Sequence, residues 1–313
     1  MSPGGAIRMT MRVFRTRLFI SAVGPCLLAM LSTTSHAQNA ASQESSTPPP
    51  DSPATAPAPA GNDAQDLAKQ LSNPIASLIS FPLQSNYDWG LGPDGEGTQY
   101  KLNIQPVIPI TLSEDWNVIS RTIVPLVSQG DVIPVPPAAD NHQFGFGDTV
   151  QSLFFSPQKP TKGGIVWGAG PVFLIPTATD KLIGSGKWGV GPTIVVLKQI
   201  GPWTVGALAN HIWSFAGNDS RDEVSSTFLQ PFVGYTTKSA TTFTVNAEST
   251  YDWTHKQWTV PVNFMVAQLF RPKTFGLGFP IQIQVGYRHY FESAAIGPNN
   301  GVRLNIVALF PKK

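Results

Sequence analysis

Cysteine is almost missing from this chain: Cys26 is the only one in 313 residues. It lies within the first 37 residues, which read as an export signal, and Pro25 occupies the place where a lipid-attachment signal needs a small residue. Beyond the signal there is no thiol, which excludes a disulfide framework, a Cys-ligated zinc and a thiol nucleophile. Charge is scarce as well. Asp, Glu, Lys and Arg make up 13% of the chain, about half the roughly 25% usual in soluble domains. Long apolar runs are also missing. After the signal, no stretch reaches the ~18 residues that read as a transmembrane helix. An exported chain with little charge and no spanning helix leaves two main classes, a secreted all-β domain or a membrane β-barrel.

The signal itself is compact. Arg8, Arg12, Arg15 and Arg17 form its basic region, Leu18 to Leu31 its apolar region, and Ser35-His36-Ala37 the small residues of a cleavage site. The apolar region is short for a membrane anchor, so cleavage after Ala37 is expected. The signal (1–37) holds four of the 21 Lys+Arg and none of the 19 Asp+Glu, which leaves 17 against 19 afterwards. The basic balance therefore belongs to the signal, and nucleic acid is not an expected partner.

Residues 38–62, QNAASQESSTPPPDSPATAPAPAGN, contain no aromatic and no aliphatic larger than Ala. Such a stretch cannot bury enough apolar surface to offset ordering and reads as a disordered Pro/Ala/Ser-rich linker. Residues 63–80 have helical spacing, with Leu67, Leu71, Ile75, Leu78 and Ile79 on one face. Asp63 is a candidate N-cap, and Asn73-Pro74 suggests a second cap, splitting the segment into two short helices.

From residue 81 the texture becomes that of strands. Twelve are expected, at 81–90, 99–112, 116–127, 144–156, 165–176, 187–199, 203–215, 224–236, 241–252, 257–269, 278–291 and 301–310. Tight connections (113–115, 200–202, 237–240) alternate with longer polar ones (128–143, 177–186, 216–223, 292–300), although 157–164 and 271–277 fall in the tight set by position without being short. Outer-membrane barrels place short turns on the periplasmic rim and longer loops outside, and an even strand count brings both termini to the periplasm. Apolar and polar residues alternate: Phe243, Val245 and Ala247 against Thr244, Asn246 and Glu248, or Ile281, Ile283, Val285 and Tyr287 against Gln282, Gln284 and Arg288. Every tryptophan falls near a strand end, Trp116, Trp167 and Trp203 on the short-turn rim and Trp89, Trp188, Trp213, Trp253 and Trp258 on the other. Two aromatic girdles explain this better than a soluble sandwich, whose tryptophans would fill the core. The expected fold class for 81–313 is thus an all-β, antiparallel transmembrane β-barrel of twelve strands, preceded by a short N-terminal helical segment. Pro106, Pro109, Pro125, Pro171, Pro192, Pro231 and Pro261 fall inside these strands and require bulges or irregularities, because proline cannot donate to a ladder.

The segments SNYDWGLGPDGEGTQYKLNIQPVIPI (85–110), FGFGDTVQSLFFSP (144–157), WGAGPVFLIPTATD (167–180), WGVGPTIVVLKQIGPWTVGALANHIWSFAG (188–217) and TFLQPFVGYTTKSATTFTVNAESTYDW (227–253) resemble the outer-membrane family named for the meta-pathway of phenol degradation. The resemblance spans 77–310 and implies an outer-membrane barrel of transporter type, with small apolar or aromatic solutes as the implied cargo. It supplies no site residues. The ending Phe310-Pro311-Lys312-Lys313 departs from the terminal aromatic usual in such barrels.

Catalysis has one candidate, Asn210-His211-Ile212-Trp213-Ser214. A spacing of three puts His211 and Ser214 on opposite faces of a regular strand, whereas a nucleophile and its base need hydrogen-bond reach. His142, His255 and His289 lack metal-ligand spacing. Gly-rich 144–148 and 188–192 lack the strand–loop–helix context of a phosphate loop and read as bulges or close backbone approaches. Asp94-Gly95-Glu96 and Asn218-Asp219 read as solvated loops rather than calcium ligands. No catalytic, metal or cofactor site is expected. By alternation Lys101, Asn103, Gln105, Arg121, Asn246, Glu248, Asn263, Gln282, Gln284, Arg288, Arg303 and Asn305 point into the lumen. This mixed set suits either passage of a small solute or cross-bracing of the barrel. The reading is an outer-membrane channel or passive transporter embedded in lipid. The alternatives are a non-conducting structural or adhesive barrel and, disfavoured, a barrel hydrolase. Oligomeric state is not legible. The apolar stripe of 63–80 has two destinations, the periplasmic mouth or the membrane interface.

Overall fold

A computed structural model describes residues 62–133 and 141–310. The expected signal peptide, the linker up to residue 61 and the terminal Pro311-Lys312-Lys313 lie outside the described residues. One helix, α1 (Asn62–Leu71), leads into the strands β1 (Ile79–Leu91), β2 (Gly97–Ile104), β3 (Val107–Thr111), β4 (Trp116–Gly130) and β5 (His142–Phe146). There follow β6 (Thr149–Pro157), β7 (Ile165–Ile175), β8 (Lys187–Ile200), β9 (Trp203–Gly217) and β10 (Ser225–Thr236). The chain ends with β11 (Thr241–Ala247), β12 (Ser249–Asp252), β13 (Gln257–Phe270), β14 (Ile281–Glu292) and β15 (Asn300–Phe310). Three pairs, β2/β3, β5/β6 and β11/β12, are halves of single staves interrupted at one or two residues, so fifteen segments make twelve staves. Each stave pairs antiparallel with its sequence neighbours, and β1 pairs with β15 from Ile79↔Phe310 to Trp89↔Asn300, which closes the barrel.

The closed ladder follows from the alternation. In β15 Val302, Leu304, Ile306 and Phe310 are exposed, while Arg303, Val307 and Leu309 are buried. In a barrel those exposures mean lipid and lumen, since apolar groups go outward and the backbone of a closed ladder leaves no edge. Aromatic girdles mark both rims. Trp116 meets Trp167 edge-on at 6.0 Å and Trp203 meets Tyr235 at 4.9 Å on the short-turn side. On the other side Tyr251 lies 4.8 Å from both Trp253 and Trp258.

The internal prolines fall where the ladder is already broken. Pro106 separates β2 from β3, and Pro261 adjoins the register shift after Val260. Pro109 lies beyond the one pairing of β3 with β1, Ser80↔Val107. Pro125 faces the gap between β5 and β6, and Pro231 the gap between β11 and β12. Pro171 and Pro192 stand opposite each other. On their outer flanks pairing skips from Ser152↔Val172 to Phe155↔Ala169 and from Val190↔Trp213 to Thr193↔Asn210. A missing N–H costs little where no acceptor is in register to be left without it.

One expectation needs correction. Residues 72–78 do not form a second helix. Asn73 Oδ1 accepts the Ile75 N–H at 3.0 Å, as a cap would, but the Ala76 N–H returns to the Asn73 carbonyl at 3.2 Å and the chain runs on into β1. Asn117 Nδ2 donates to Ser77 Oγ at 3.1 Å, and Ile75 and Leu78 are buried in different places. A helix would carry both on one face; tertiary contacts pull them apart.

Candidate functional site

The N-terminal segment enters the barrel at the short-turn rim. Ala68 of α1 is fully buried, and Ala64, Leu67 and Leu71 pack with it against Leu269, Val307 and Leu309, inward residues of β13 and β15. Hydrogen bonds fix the docking: Gln65 Nε2 donates to the Thr236 carbonyl at 3.2 Å, and Gln199 Nε2 to the Lys69 carbonyl at 2.8 Å. The second bond adds to the Ser72 N–H, at 3.0 Å, on a carbonyl in the last turn of α1. Further in, Ile75 sits among Ile119, Phe154, Val195, Leu197 and Leu208, on the inner faces of β4, β6, β8 and β9. Gly168 makes room for it: a Cβ there would lie 3.2 Å from Ile75 Cδ1 and 3.3 Å from Phe154 Cβ. Of the two destinations open to the stripe, Leu67, Leu71, Ile75 and Leu78 take the barrel mouth, while Ile79 begins β1.

Opposite this apolar wall lies a charged one, built from β1, β2 and β11–β15. Glu248 stands in the break between β11 and β12, its N–H held by the Pro261 carbonyl at 3.0 Å. Its carboxylate takes both ends of the Arg303 guanidinium, each at 2.8 Å, and lies 3.7 Å from Arg288. Arg288 reaches Asp88 at 3.4 Å, and Arg303 Nε donates to Asn86 Oδ1 at 2.7 Å. Bidentate, charge-assisted bonds of this kind hold geometry as well as energy. Gly301 is opposite Asp88 across β1 and β15, and a Cβ there would collide with the carboxylate, so the site needs glycine. Below the network, Asn263 Nδ2 donates to Asn246 Oδ1 at 2.6 Å.

Between the charged wall and residues 70–78 is a cavity of about 220 Å³. Gln105, Arg121, Asn246, Glu248, Gln282, Gln284, Arg303 and Asn305 line it. Lys101, Asn103, Asn263 and Arg288 stand behind that lining: Lys101 is opposite Asn86, Asn103 opposite the lining residue Gln84, and Asn263 and Arg288 are bonded as described. Arg121 donates to Gln105 Oε1 at 3.1 Å. Sequence reasoning missed Gln84, Asn86 and Asp88, although they alternate with Leu83, Ser85, Tyr87 and Trp89 and carried the same signal as the residues it found. It also missed Ile119, Phe154, Val195, Leu197 and Leu208. There both faces of the strands are apolar, as in β8, where Val190, Ile194 and Val196 are exposed and Val195 and Leu197 buried. Alternation of polarity cannot separate two apolar faces.

The hydrolase pair does not assemble. His211 Nδ1 bonds Thr227 Oγ1 at 2.7 Å, while Ser214 Oγ donates to Glu223 and accepts the Val224 N–H at 2.9 Å. His142 pairs with Ser128, His289 with Asn300, and His255 with Asp252. Among the described residues no three His, Cys, Asp or Glu come together as metal ligands. Asn218 Oδ1 accepts from Ser220 N at 2.9 Å and from Ser220 Oγ at 2.8 Å, a local turn. The Gly-rich pieces are a stave break at 147–148 and a register shift between Trp188 and Gly189. Asp148 in the first of these accepts Ser185 N and Oγ, both at 2.6 Å, and so ties the 176–186 loop to the barrel rim.

No family model and no curated protein matches the chain. Solved structures do. The COG4313 outer membrane channel from Pseudomonas putida F1 is similar with a TM-score of 0.58 at 14% identity, over 75% of this chain and 96% of that one. The β domain of the Bordetella autotransporter Brka aligns at a TM-score of 0.42 and 9% identity, over 75% of this chain and 100% of that one. A FadL homologue of Pseudomonas aeruginosa aligns at 0.31 and 10%, over 77% and 93%. At such identities the first likeness is one of fold. The chain is a twelve-stave barrel of the outer-membrane type, with a short N-terminal helix docked in its short-turn mouth.

Proposed function

We propose that the protein is an outer-membrane channel for small solutes whose conductance is limited by residues 62–78. The observation that carries this is the partly filled lumen: a cavity of about 220 Å³ held between the docked segment and the charged wall. Twelve staves enclose more space than their own side chains fill, and less than an open porin. The docked segment takes up the difference on the periplasmic side. The resemblance to the phenol meta-pathway family supports small apolar or aromatic cargo, and the apolar surface of Phe232, Met265 and Val307 in the cavity suits it. In this reading the chain is exported, cleaved after Ala37, and begins at Gln38 in the outer membrane. Its chemistry is passage rather than catalysis.

Deleting residues 38–78 leaves every stave intact and tests the proposal. In planar bilayers the truncated barrel should show a larger or more frequently open conductance than the full chain. Unchanged single-channel behaviour, with normal heat-modifiable migration, would reject a limiting role for the segment. The rival reading is a structural barrel without conductance. It draws on the burial of Ile75 and Ala68, which are 4% and 0% exposed. It requires that neither the full nor the truncated protein conducts.

A further inference from the structure

The charges that face the lumen do not balance. Arg303 and Arg288 share Glu248, and Arg288 also takes Asp88, so both carboxylates are used by these two guanidiniums. Lys101 and Arg121 are left without an ion pair among the described residues. Lys101 stands behind the lining, whereas Arg121 lines the cavity and spends one N–H on Gln105 at 3.1 Å. A guanidinium carries five donors in a fixed fork that matches a carboxylate. The Nε and Nη1 of Arg121 have no hydrogen-bond partner among the described residues. Asn305 Oδ1, also in the lining, has no protein partner. The lining also has an apolar part at Phe232, Met265, Ala267, Leu78 and Val307. A dry cavity of about 150 Å³ accepts benzene, so about 220 Å³ holds a ring of that size with a polar group attached.

We propose that this cavity binds a small amphipathic monocarboxylate, its carboxylate on Arg121 beside Gln105 and its apolar body toward Phe232 and Met265. The proposal deepens the channel reading by naming the solute's charge, and it rests on that reading for its biological meaning. The site itself does not depend on conductance. One charge suits the cavity because one cation there lacks an ion pair; a dianion would set its second charge beside Glu248 or against the apolar wall.

Calorimetric titration of the full-length protein in a zwitterionic detergent at pH 7.5 tests this, with benzoate as the probe. Saturable binding is expected at one site. Benzyl alcohol, with the same ring and no charge, should bind at least tenfold more weakly. Inorganic phosphate should compete poorly, having no apolar body. Arg121→Gln should lose at least tenfold in benzoate affinity, while Arg121→Lys, which keeps the charge but not the fork, should fall between Arg121→Gln and the wild type. Equal binding of benzoate and benzyl alcohol to the wild type overturns the proposal without recourse to any variant. So does phosphate competing as well as benzoate, or unchanged benzoate binding in Arg121→Gln. Bilayer recordings on the same preparation separate the two readings. Conductance without benzoate binding sinks the site and keeps the channel; binding without conductance in the full or truncated protein does the reverse.

Discussion

The two walls of the lumen solve the same problem by different means. On the β11–β15, β1 and β2 side, many inward positions are polar, and Arg303, Arg288, Glu248 and Asp88 are held by one another. On the β4–β9 side, an apolar patch of Ile119, Phe154, Val195, Leu197 and Leu208 faces inward among buried polar residues such as Asn117, Ser152, Thr193 and Thr204, and Ile75 of the docked segment fills the space against it. The charged wall is braced by its own ion pairs and keeps a cavity beside it. The apolar patch around Ile75 has no ion pair of its own and is completed by packing. Filling one side and bracing the other is how a barrel of this size stays neither solid nor open. The ladder breaks follow the same division. The interruption at Glu248 aims a carboxylate inward, whereas the break around Pro171 and Pro192 places no charged group there.

The sharpest way to break the comparison is to remove the carboxylate on which the charged wall converges. Glu248→Ala leaves Arg303, 4% exposed, and Arg288, 8% exposed, facing each other with only Asp88 to share. Breaking a buried ion pair from one side costs about 3–5 kcal/mol. Glu248 borders the cavity, so about 4 kcal/mol is expected here. Heat-modifiable migration should shift to clearly lower temperature. A wild-type-like midpoint would mean that the wall is hydrated and its ion pairs dispensable.

The apolar wall should respond by packing alone. Phe154 is fully buried, and Phe154→Ala should cost about 3 kcal/mol, with no change in ion selectivity. Its neighbour Ile75 belongs to the docked segment rather than to the barrel, so Ile75→Ala should weaken docking by about 2 kcal/mol and leave the barrel's thermal midpoint in place. Such a change raises the undocked population roughly 30-fold, read as more frequent opening in single-channel records. If Ile75→Ala instead lowers the barrel midpoint as much as Phe154→Ala does, the segment is part of the core and not a removable element.

How much of this was legible depended on the wall. Where polar and apolar residues alternate, as in β14 and β15, both the strand and its inward face could be read from period two. Asn246, Gln282, Arg288 and Arg303 were placed that way. The pairing of Glu248 with Arg303 was not legible, because it joins residues 55 apart in sequence, across two staves and a ladder break. On the apolar wall the strands were legible and their faces were not, since Val195 and Val196 differ in surroundings rather than in kind. The turn at 72–78 was lost for a related reason: the spacing of Leu71, Ile75 and Leu78 reads as helix, but these residues are claimed by two separate clusters. The prolines were legible as irregularities, and the structure supplies their logic by setting them at or beside breaks in the ladder.

The smallest expected effect lies where the apolar wall meets the outer loops. Lys187, at the start of β8, is almost wholly buried and pairs at 2.7 Å with Glu223, whose side chain is 68% exposed. Ser214 donates to the same carboxylate. The hydrogen bonds from Lys187 and Ser214 hold the Glu223 carboxyl below its ordinary value. For a carboxyl with a depressed folded value, the stabilisation is complete above the unfolded value of about 4.3 and is lost as pH falls through the folded value. Solvent screens so exposed a group, so the loss should loosen the 218–224 loop without unfolding the barrel. Pepsin digestion of the folded protein between pH 5 and 2 (conditions, normalised to a denatured substrate) should therefore show loop cleavage rising as pH drops below about 4. Glu223→Gln should remove that rise, because the amide cannot titrate. The ion pairs of the charged wall are shared among two guanidiniums and two carboxylates, so the barrel should keep its heat-modifiable migration over the range in which the loop is cut. If barrel and loop fail together at one pH, the two kinds of ion pair are not independent, and the division of the lumen into a self-braced wall and a packed wall does not hold at its outer end.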